Sequence, residues 1–147
     1  MVAIASPFSG PVVALDDVAD DVFSERVMGD GAAVRPQDPR VVAPITGVIE
    51  KLFSGGHGFA IETPDGVQVL VHVGLETVHL KGEGFEVVAS EGDSVEAGDH
   101  IVSVDLDHMA DKNIDMVSPV VVISGHDVEV VASGEVAAGD PLLEVGG

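Results

Sequence analysis

Gly58-Phe59-Ala60-Ile61-Glu62-Thr63-Pro64-Asp65-Gly66-Val67-Gln68-Val69-Leu70-Val71-His72 sets a turn between two apolar-rich runs. Thr63-Pro64-Asp65-Gly66 is a turn signal: proline presets one turn dihedral, aspartate bonds to nearby backbone, and glycine accepts positive φ. Apolar-rich runs lie on both sides, so the segment reads as a β-hairpin. With Pro64 and Asp65 as a two-residue loop, Thr63 pairs with Gly66 and, counting outward, His57 pairs with His72. Residues directly opposed on one sheet face hold their Cβ atoms ~4.5–5.5 Å apart. Two imidazoles that close can bind a metal, or one can act as a nucleophile while the other holds a transferred group.

The composition extends the β reading to the whole chain. Of 147 residues, 46% are hydrophobic, yet there is no Trp, no Tyr and only five Phe, so the apolar mass is Val, Ala, Leu and Ile. Valine favours strands, and 18 Gly and 8 Pro punctuate the chain into short ones. No linker-like stretch divides it, and residues 1–147 read as one domain of a size that buries a real core. No apolar run reaches the ~18 residues of a spanning helix, and no basic, apolar start resembles a signal peptide. With no cysteine, any covalent intermediate needs a nucleophile other than a thiolate.

The net charge of −20, from 26 acidic against 6 basic side chains, argues against nucleic-acid binding or membrane insertion. It reads as a solvating coat, suits a partner with a basic docking patch, and would be screened in a high-salt cytoplasm.

The chain echoes itself. Ser6-Pro7-Phe8-Ser9-Gly10-Pro11-Val12 resembles Ala43-Pro44-Ile45-Thr46-Gly47-Val48-Ile49, and Val95-Glu96-Ala97-Gly98-Asp99 resembles Val136-Ala137-Ala138-Gly139-Asp140. Copies this few and short point to an antiparallel β-sandwich or barrel with internal duplication, not to a solenoid. At most one or two short helical turns are expected, one within Asp16–Met28 and one within Asp105–Asp115.

Gly66-Val67-Gln68-Val69-Leu70-Val71-His72-Val73-Gly74-Leu75-Glu76-Thr77-Val78 matches, element by element, the active-site signature of the glucose-type IIA proteins of the sugar phosphotransferase system. Leu80-Lys81-Gly82-Glu83-Gly84-Phe85, Asp21-Val22-Phe23, Gly29-Asp30-Gly31-Ala32-Ala33-Val34, Ala43-Pro44-Ile45-Thr46-Gly47 and Ser118-Pro119-Val120-Val121 also resemble that family, in order, over nearly the whole chain. The resemblance implies a duplicated antiparallel β-sandwich. It makes His72 the phosphoryl acceptor, as a tele-phosphohistidine, and His57 the histidine that stabilises the phosphoryl group. It further implies an apolar docking face, with Val22, Phe23, Phe53, Phe59 and Leu70 as contributors and Glu62 and Glu76 as its acidic residues. The partners it implies are the donor HPr and, as acceptor, the IIB domain of a membrane sugar permease, in the cytoplasm.

Two departures stand out. Many relatives carry a hydroxyl residue two positions before the first histidine, where this chain has Gly55, leaving Ser54, Thr46 or a backbone group to orient His57. The N-terminal membrane-touching extension of some relatives is not expected here.

Elementary chemistry points the same way as the resemblance. A neutral imidazole is nucleophilic near pH 7 because its pKa lies near ~6.5, and phosphoryl transfer asks for positioning and charge stabilisation. Gly55, Gly56 and Gly74 would let backbone approach the transferred group. His79, His100, His108 and His126 lack such context and read as solvated surface residues, and Asp30 as a turn former. Phe23, Phe53 and Phe59 are equally read as core.

Three other readings are weaker. A zinc site on His57 and His72 would need a third ligand, such as a partner's carboxylate, and the His-x-His pair of related zinc peptidases is missing. A biotin or lipoyl carrier fails because Lys51, Lys81 and Lys112 sit in no acceptor tip. A purely regulatory binding module has only Gly55 in its favour.

Overall fold

Strands dominate the computed structural model, which describes residues 2–146. An eight-stranded antiparallel sheet runs in the order Glu135–Val136, Gly10–Ala14, Asp30–Val34, Ser118–Val122, Gln68–His72, Gly58–Glu62, Gly47–Leu52, Ser94–Val95. Two three-stranded sheets complete the β structure: Val2–Ala5, Pro141–Val145 and Val128–Val130 form one, and Arg40–Val42, His100–Val104 and Phe85–Val87 the other. Two short α-helices, α1 (Asp21–Ser24) and α2 (Leu106–Asp111), fall in the two segments where helical turns are expected, and 3-10 turns add Leu15–Asp17 and Thr77–Leu80.

The echoes in the sequence are the two halves of a duplicated structure. Ala5 donates its N–H to the Pro44 carbonyl and Val42 donates to that of Pro7, so the two Pro segments exchange equivalent bonds. Ser6 clasps the turn ending at Asp140, donating to the Asp140 carbonyl and accepting from Gly139, just as Ala43 clasps Asp99 and Gly98. The hydroxyl of Ser9 accepts from Ala138, and that of Thr46 from Ala97. In both turns the aspartate carboxylate accepts from the N–H three residues earlier, and the glycine before it is left-handed, at φ +96° for Gly98 and +97° for Gly139. These Gly-Asp pairs are structural punctuation.

The eight-stranded sheet is buried on both faces near its centre. Phe59, Ile61, Val69, Val71 and Val73 point into the main core with Ile4, Phe8 and Ile101. Ala60, Leu70, Ala33 and Val121 point the other way, under a cover made by Leu15, Val18 and Phe23. Strands covered on both sides read as near-continuous apolar runs, which is why Val67–Val73 shows little alternation. The carboxylate of Asp20 holds the cover in shape by accepting from the Val22 N–H at 2.9 Å, an N-cap for α1. Arg26 ties the same segment to Asp16 (2.7 Å) and Asp30 (2.9 Å).

The hairpin register differs from the expected one by one residue. Glu62 pairs with Gln68 and Gly58 with His72, and Thr63 donates to the Val67 carbonyl, closing a three-residue loop, Pro64–Gly66. Gly66 takes φ +88°, the left-handed residue that a three-residue hairpin loop requires. His57 therefore lies opposite Val73, whose N–H donates to the His57 carbonyl at 2.7 Å.

Candidate functional site

A one-residue slip turns a side chain to the other face of a sheet, so strict alternation would send His57 into the main core beside Val73. It does not go there. The chain leaves the ladder in the turn Phe53–Gly56, closed by the Gly56 N–H to the Phe53 carbonyl, with Gly55 and Gly56 both left-handed (φ +94° and +92°). This turn brings the His57 ring to His72: the ring centroids are 5.5 Å apart and the planes meet at 69°. Gly58, directly opposite His72, leaves space for the Phe53 ring, since a Cβ there would lie 2.6 Å from Phe53 Cδ2. Phe53 packs on His57 at 5.3 Å and Phe23 on His72 at 5.5 Å. The imidazole pair thus sits between two phenyl rings, with His57 only 8% exposed.

One bond fixes the protonation pattern. His72 Nδ1 lies 2.5 Å from the Gly74 carbonyl. A carbonyl only accepts, so Nδ1 carries the proton and Nε2 keeps the lone pair. Burial pushes the His72 pKa below its ordinary value, against the Gly74 carbonyl, which favours the charged ring; His57 lowers it further and Asp20 opposes that. Burial lowers the His57 pKa as well, against the pull of the Ser54 backbone. Both rings are therefore neutral near pH 7, and His72 offers a nucleophilic nitrogen. The Ser54 backbone favours the charged His57 ring, whereas Thr46 is engaged elsewhere, with Ala97.

The residues expected on a docking face divide. Val22, 43% exposed, stands beside Phe23 in α1, and the half-buried Phe53 packs on His57. Phe23 reaches His72 but is itself nearly covered. Phe59 is a correction: it is fully buried in the main core, on the face away from His72, and offers no surface. Leu70 is likewise buried, beneath the cover. Glu62 lies at the hairpin tip, hydrogen-bonded to Gln68, four residues along the strand from Gly58, or roughly 13 Å at strand rise. Glu76 is exposed just beyond Gly74, at φ +59°.

Three of the other histidines are more engaged than their sequence context indicates. His100 Nε2 meets Ser103 Oγ at 2.8 Å, His126 Nδ1 meets Ser124 Oγ at 2.7 Å, and His108 Nε2 lies 2.9 Å from Glu83; His79 is exposed. Asp30 starts a strand and binds Arg26 and the Gly31 N–H. No group of three metal-ligating side chains gathers anywhere among the described residues, so His57 and His72 supply two nitrogens and no more. None of their helices is long and apolar enough to cross a membrane. A surface hollow of about 790 Å³ between Thr46, Val48, Glu62, Pro64 and Ser94 opens at the hairpin tip, and neither histidine lines it.

Sequence reasoning missed two buried hydroxyl residues behind the pair. Thr77 belongs to the quoted signature but carried no role, and Ser118 lies 44 residues from Gly74, whose N–H it accepts.

Comparisons with known proteins identify the family. Residues 2–128 match the family model for the phosphoenolpyruvate-dependent sugar phosphotransferase system, EIIA 1. The chain is 42% identical over 144 residues to the PTS system glucose-specific EIIA component of Haemophilus influenzae, covering 97% of this chain and 87% of that protein. It is also 42% identical over 149 residues to the PTS system N-acetylglucosamine-specific EIICBA component of Klebsiella pneumoniae, of which it spans only 23%. The solved structure of glucose permease IIA from Mycoplasma capricolum superposes with a TM-score of 0.92 at 39% identity, covering 97% of this chain and 94% of that one. The chain belongs to the EIIA type 1 family of the phosphoenolpyruvate-dependent sugar phosphotransferase system.

Proposed function

We propose that residues 1–147 work as one cytoplasmic phosphoryl carrier that takes its group from HPr on His72 and passes it to the IIB domain of a sugar permease. The observation that carries this reading is the bond from His72 Nδ1 to the Gly74 carbonyl, beside a second neutral imidazole. The Nε2 lone pair of His72 attacks the phosphorus of the donor's phosphohistidine. The P–N bond to the donor breaks, its electron pair returns to the donor ring, and a P–N bond forms at Nε2. The positive charge left on the His72 ring is steadied at Nδ1–H by the Gly74 carbonyl. His57 donates an N–H to the phosphoryl oxygens, and transfer to IIB repeats the displacement in the other direction.

The packing of both rings against phenylalanine limits water, which would otherwise hydrolyse the labile bond. Relatives named EIICBA combine the C, B and A components in one protein, which supports a permease's IIB domain as acceptor. The chemistry needs no metal and no sugar pocket on this chain. Val22 and Phe53 form the apolar part of the docking surface and Glu76 its acidic edge.

The test is intact-mass spectrometry after incubation with phosphoenolpyruvate and the general phosphotransferase proteins. One acid-labile phosphoryl group, mapping to His72 and missing from His72→Ala, is expected. An unlabelled folded protein, or a label that survives in His72→Ala, contradicts the proposal.

A further inference from the structure

His72 can hold its proton on Nδ1 only while the Gly74 carbonyl stays in place, and Gly74 is the residue least able to hold it there unaided. It takes φ +76° and has no side chain. We propose that Ser118 and Thr77 are positioning residues for His72: their buried hydroxyls clamp the Val73–Gly74 peptide from both sides and thereby keep the Gly74 carbonyl on Nδ1. This rests on the carrier reading only for its effect on transfer.

Both polar groups of the Val73–Gly74 peptide are held by these hydroxyls. The Val73 carbonyl accepts from Thr77 Oγ1 at 2.8 Å, and the Gly74 N–H donates to Ser118 Oγ at 3.0 Å. Ser118 Oγ in turn donates to the Met116 carbonyl at 2.8 Å, which orients its lone pairs toward Gly74. The next peptide is held by the Leu75 N–H, bonded to the Asp115 carbonyl at 2.9 Å. Both hydroxyl residues are fully buried, so neither bond competes with solvent. Removing either hydroxyl strands a buried backbone group, which the turn can relieve only by rotating the peptide it clamps. Rotation withdraws the Gly74 carbonyl from Nδ1 and lets the proton move to Nε2, the nitrogen that must attack.

The experiment is a two-bond 1H–15N correlation spectrum of the histidine-labelled full chain, recorded well above the histidine titration range. Wild type is expected to show His72 as the Nδ1–H tautomer alone. Ser118→Ala and Thr77→Val are expected to show a measurable share of Nε2–H and about tenfold slower phosphoryl acceptance. Ser118→Thr and Thr77→Ser, which keep a hydroxyl, should restore both. A merely structural role would lower the melting temperature of Ser118→Ala and leave the tautomer and the rate where they were; that result overturns the proposal. If the truncated variants do not fold, amide exchange in wild type decides: a fast-exchanging Gly74 N–H contradicts the clamp and a protected one supports it. The tautomer readout needs no phosphoryl donor. A tautomer shift in a protein that HPr never labels would refute the carrier reading and keep the clamp, and normal labelling with an unmoved tautomer would do the reverse.

Discussion

The hairpin Gly58–His72 ends in two contrasting ways. At its tip, Pro64–Gly66 turns in open space, and a Cβ on Gly66 would meet nothing within 4 Å. At its open end, Gly55 and Gly56 turn against neighbours: a Cβ on Gly56 would come within 2.5 Å of Val87 Cγ2, and one on Gly55 within 2.8 Å of the Gly82 nitrogen. The tip sets the register; the crowded end departs from it. The hollow accompanies the tip and the paired histidines the other end, so the cavity and the imidazole pair are separate features of one hairpin.

The two phenylalanines on either side of this departure should separate stability from chemistry most strongly. Phe59→Ala empties the main core and is expected to cost about 3–5 kcal/mol, with the site intact in whatever fraction stays folded. Phe53→Ala removes a half-buried ring and should cost less, about 1–2 kcal/mol, yet loosen His57. Urea unfolding with a labelling assay distinguishes them, and equal stability losses would break the contrast.

His57→Gln comes next. Glutamine keeps a donor N–H, so the variant should still accept a phosphoryl group on His72, while handover to IIB slows about a hundredfold, the scale of losing one oriented donor in the transition state. If it fails to accept at all, as His72→Ala does, the two histidines have been given the wrong roles.

Glycine substitutions probe the two ends directly. Gly66→Ala should cost about 1 kcal/mol for a left-handed alanine and leave the histidine spectra unchanged. Gly56→Ala meets the same backbone penalty plus the clash with Val87, so it should cost more and shift the His57 resonances. Matching effects would mean the Gly55-Gly56 turn does not direct His57.

The smallest effect is in acid. Burial depresses both histidine pKa values in the folded protein below the ordinary ~6.5 of an unfolded chain. The unfolded state therefore takes up protons first as pH falls. The stability these groups contribute is intact above about pH 6.5 and is lost as pH drops through their folded-state values. Denaturant midpoints between about pH 7 and 5.5 should fall more steeply for wild type than for His57→Gln. Asp20→Asn keeps an N-cap for α1 but removes a charge that raises the His72 pKa, so an NMR titration should find that pKa lower still.

Much of this was readable in the chain itself. The hairpin and the duplicated Pro and Gly-Asp segments rest on local signals, and local signals survive folding; the two histidines do meet, but through the Gly55-Gly56 turn and not through the expected cross-strand pairing. The register error arose at one point: Pro-Asp-Gly supports either a two-residue loop or a three-residue loop with glycine left-handed, and the second is the one adopted. Phe59 and Phe53 could not be told apart because the sheet is covered on both faces, so apolar character does not report which face a residue takes. Glu62 and Glu76 look alike in sequence, but strand rise carries Glu62 down to the tip. Ser118 was out of reach for a different reason. Its role depends on strand Ser118–Val122 lying beside Gln68–His72, a contact that no local pattern encodes.

In the proposed transfer His72 attacks through Nε2 while the Gly74 carbonyl keeps the proton on Nδ1. The most direct test is 15N NMR of the histidine-labelled protein after phosphorylation through HPr, with 31P coupling to identify the bonded nitrogen. Phosphorus coupled to His72 Nε2, with Nδ1 still protonated, is the predicted result. Phosphorus coupled to His72 Nδ1, or to either nitrogen of His57, would contradict the account.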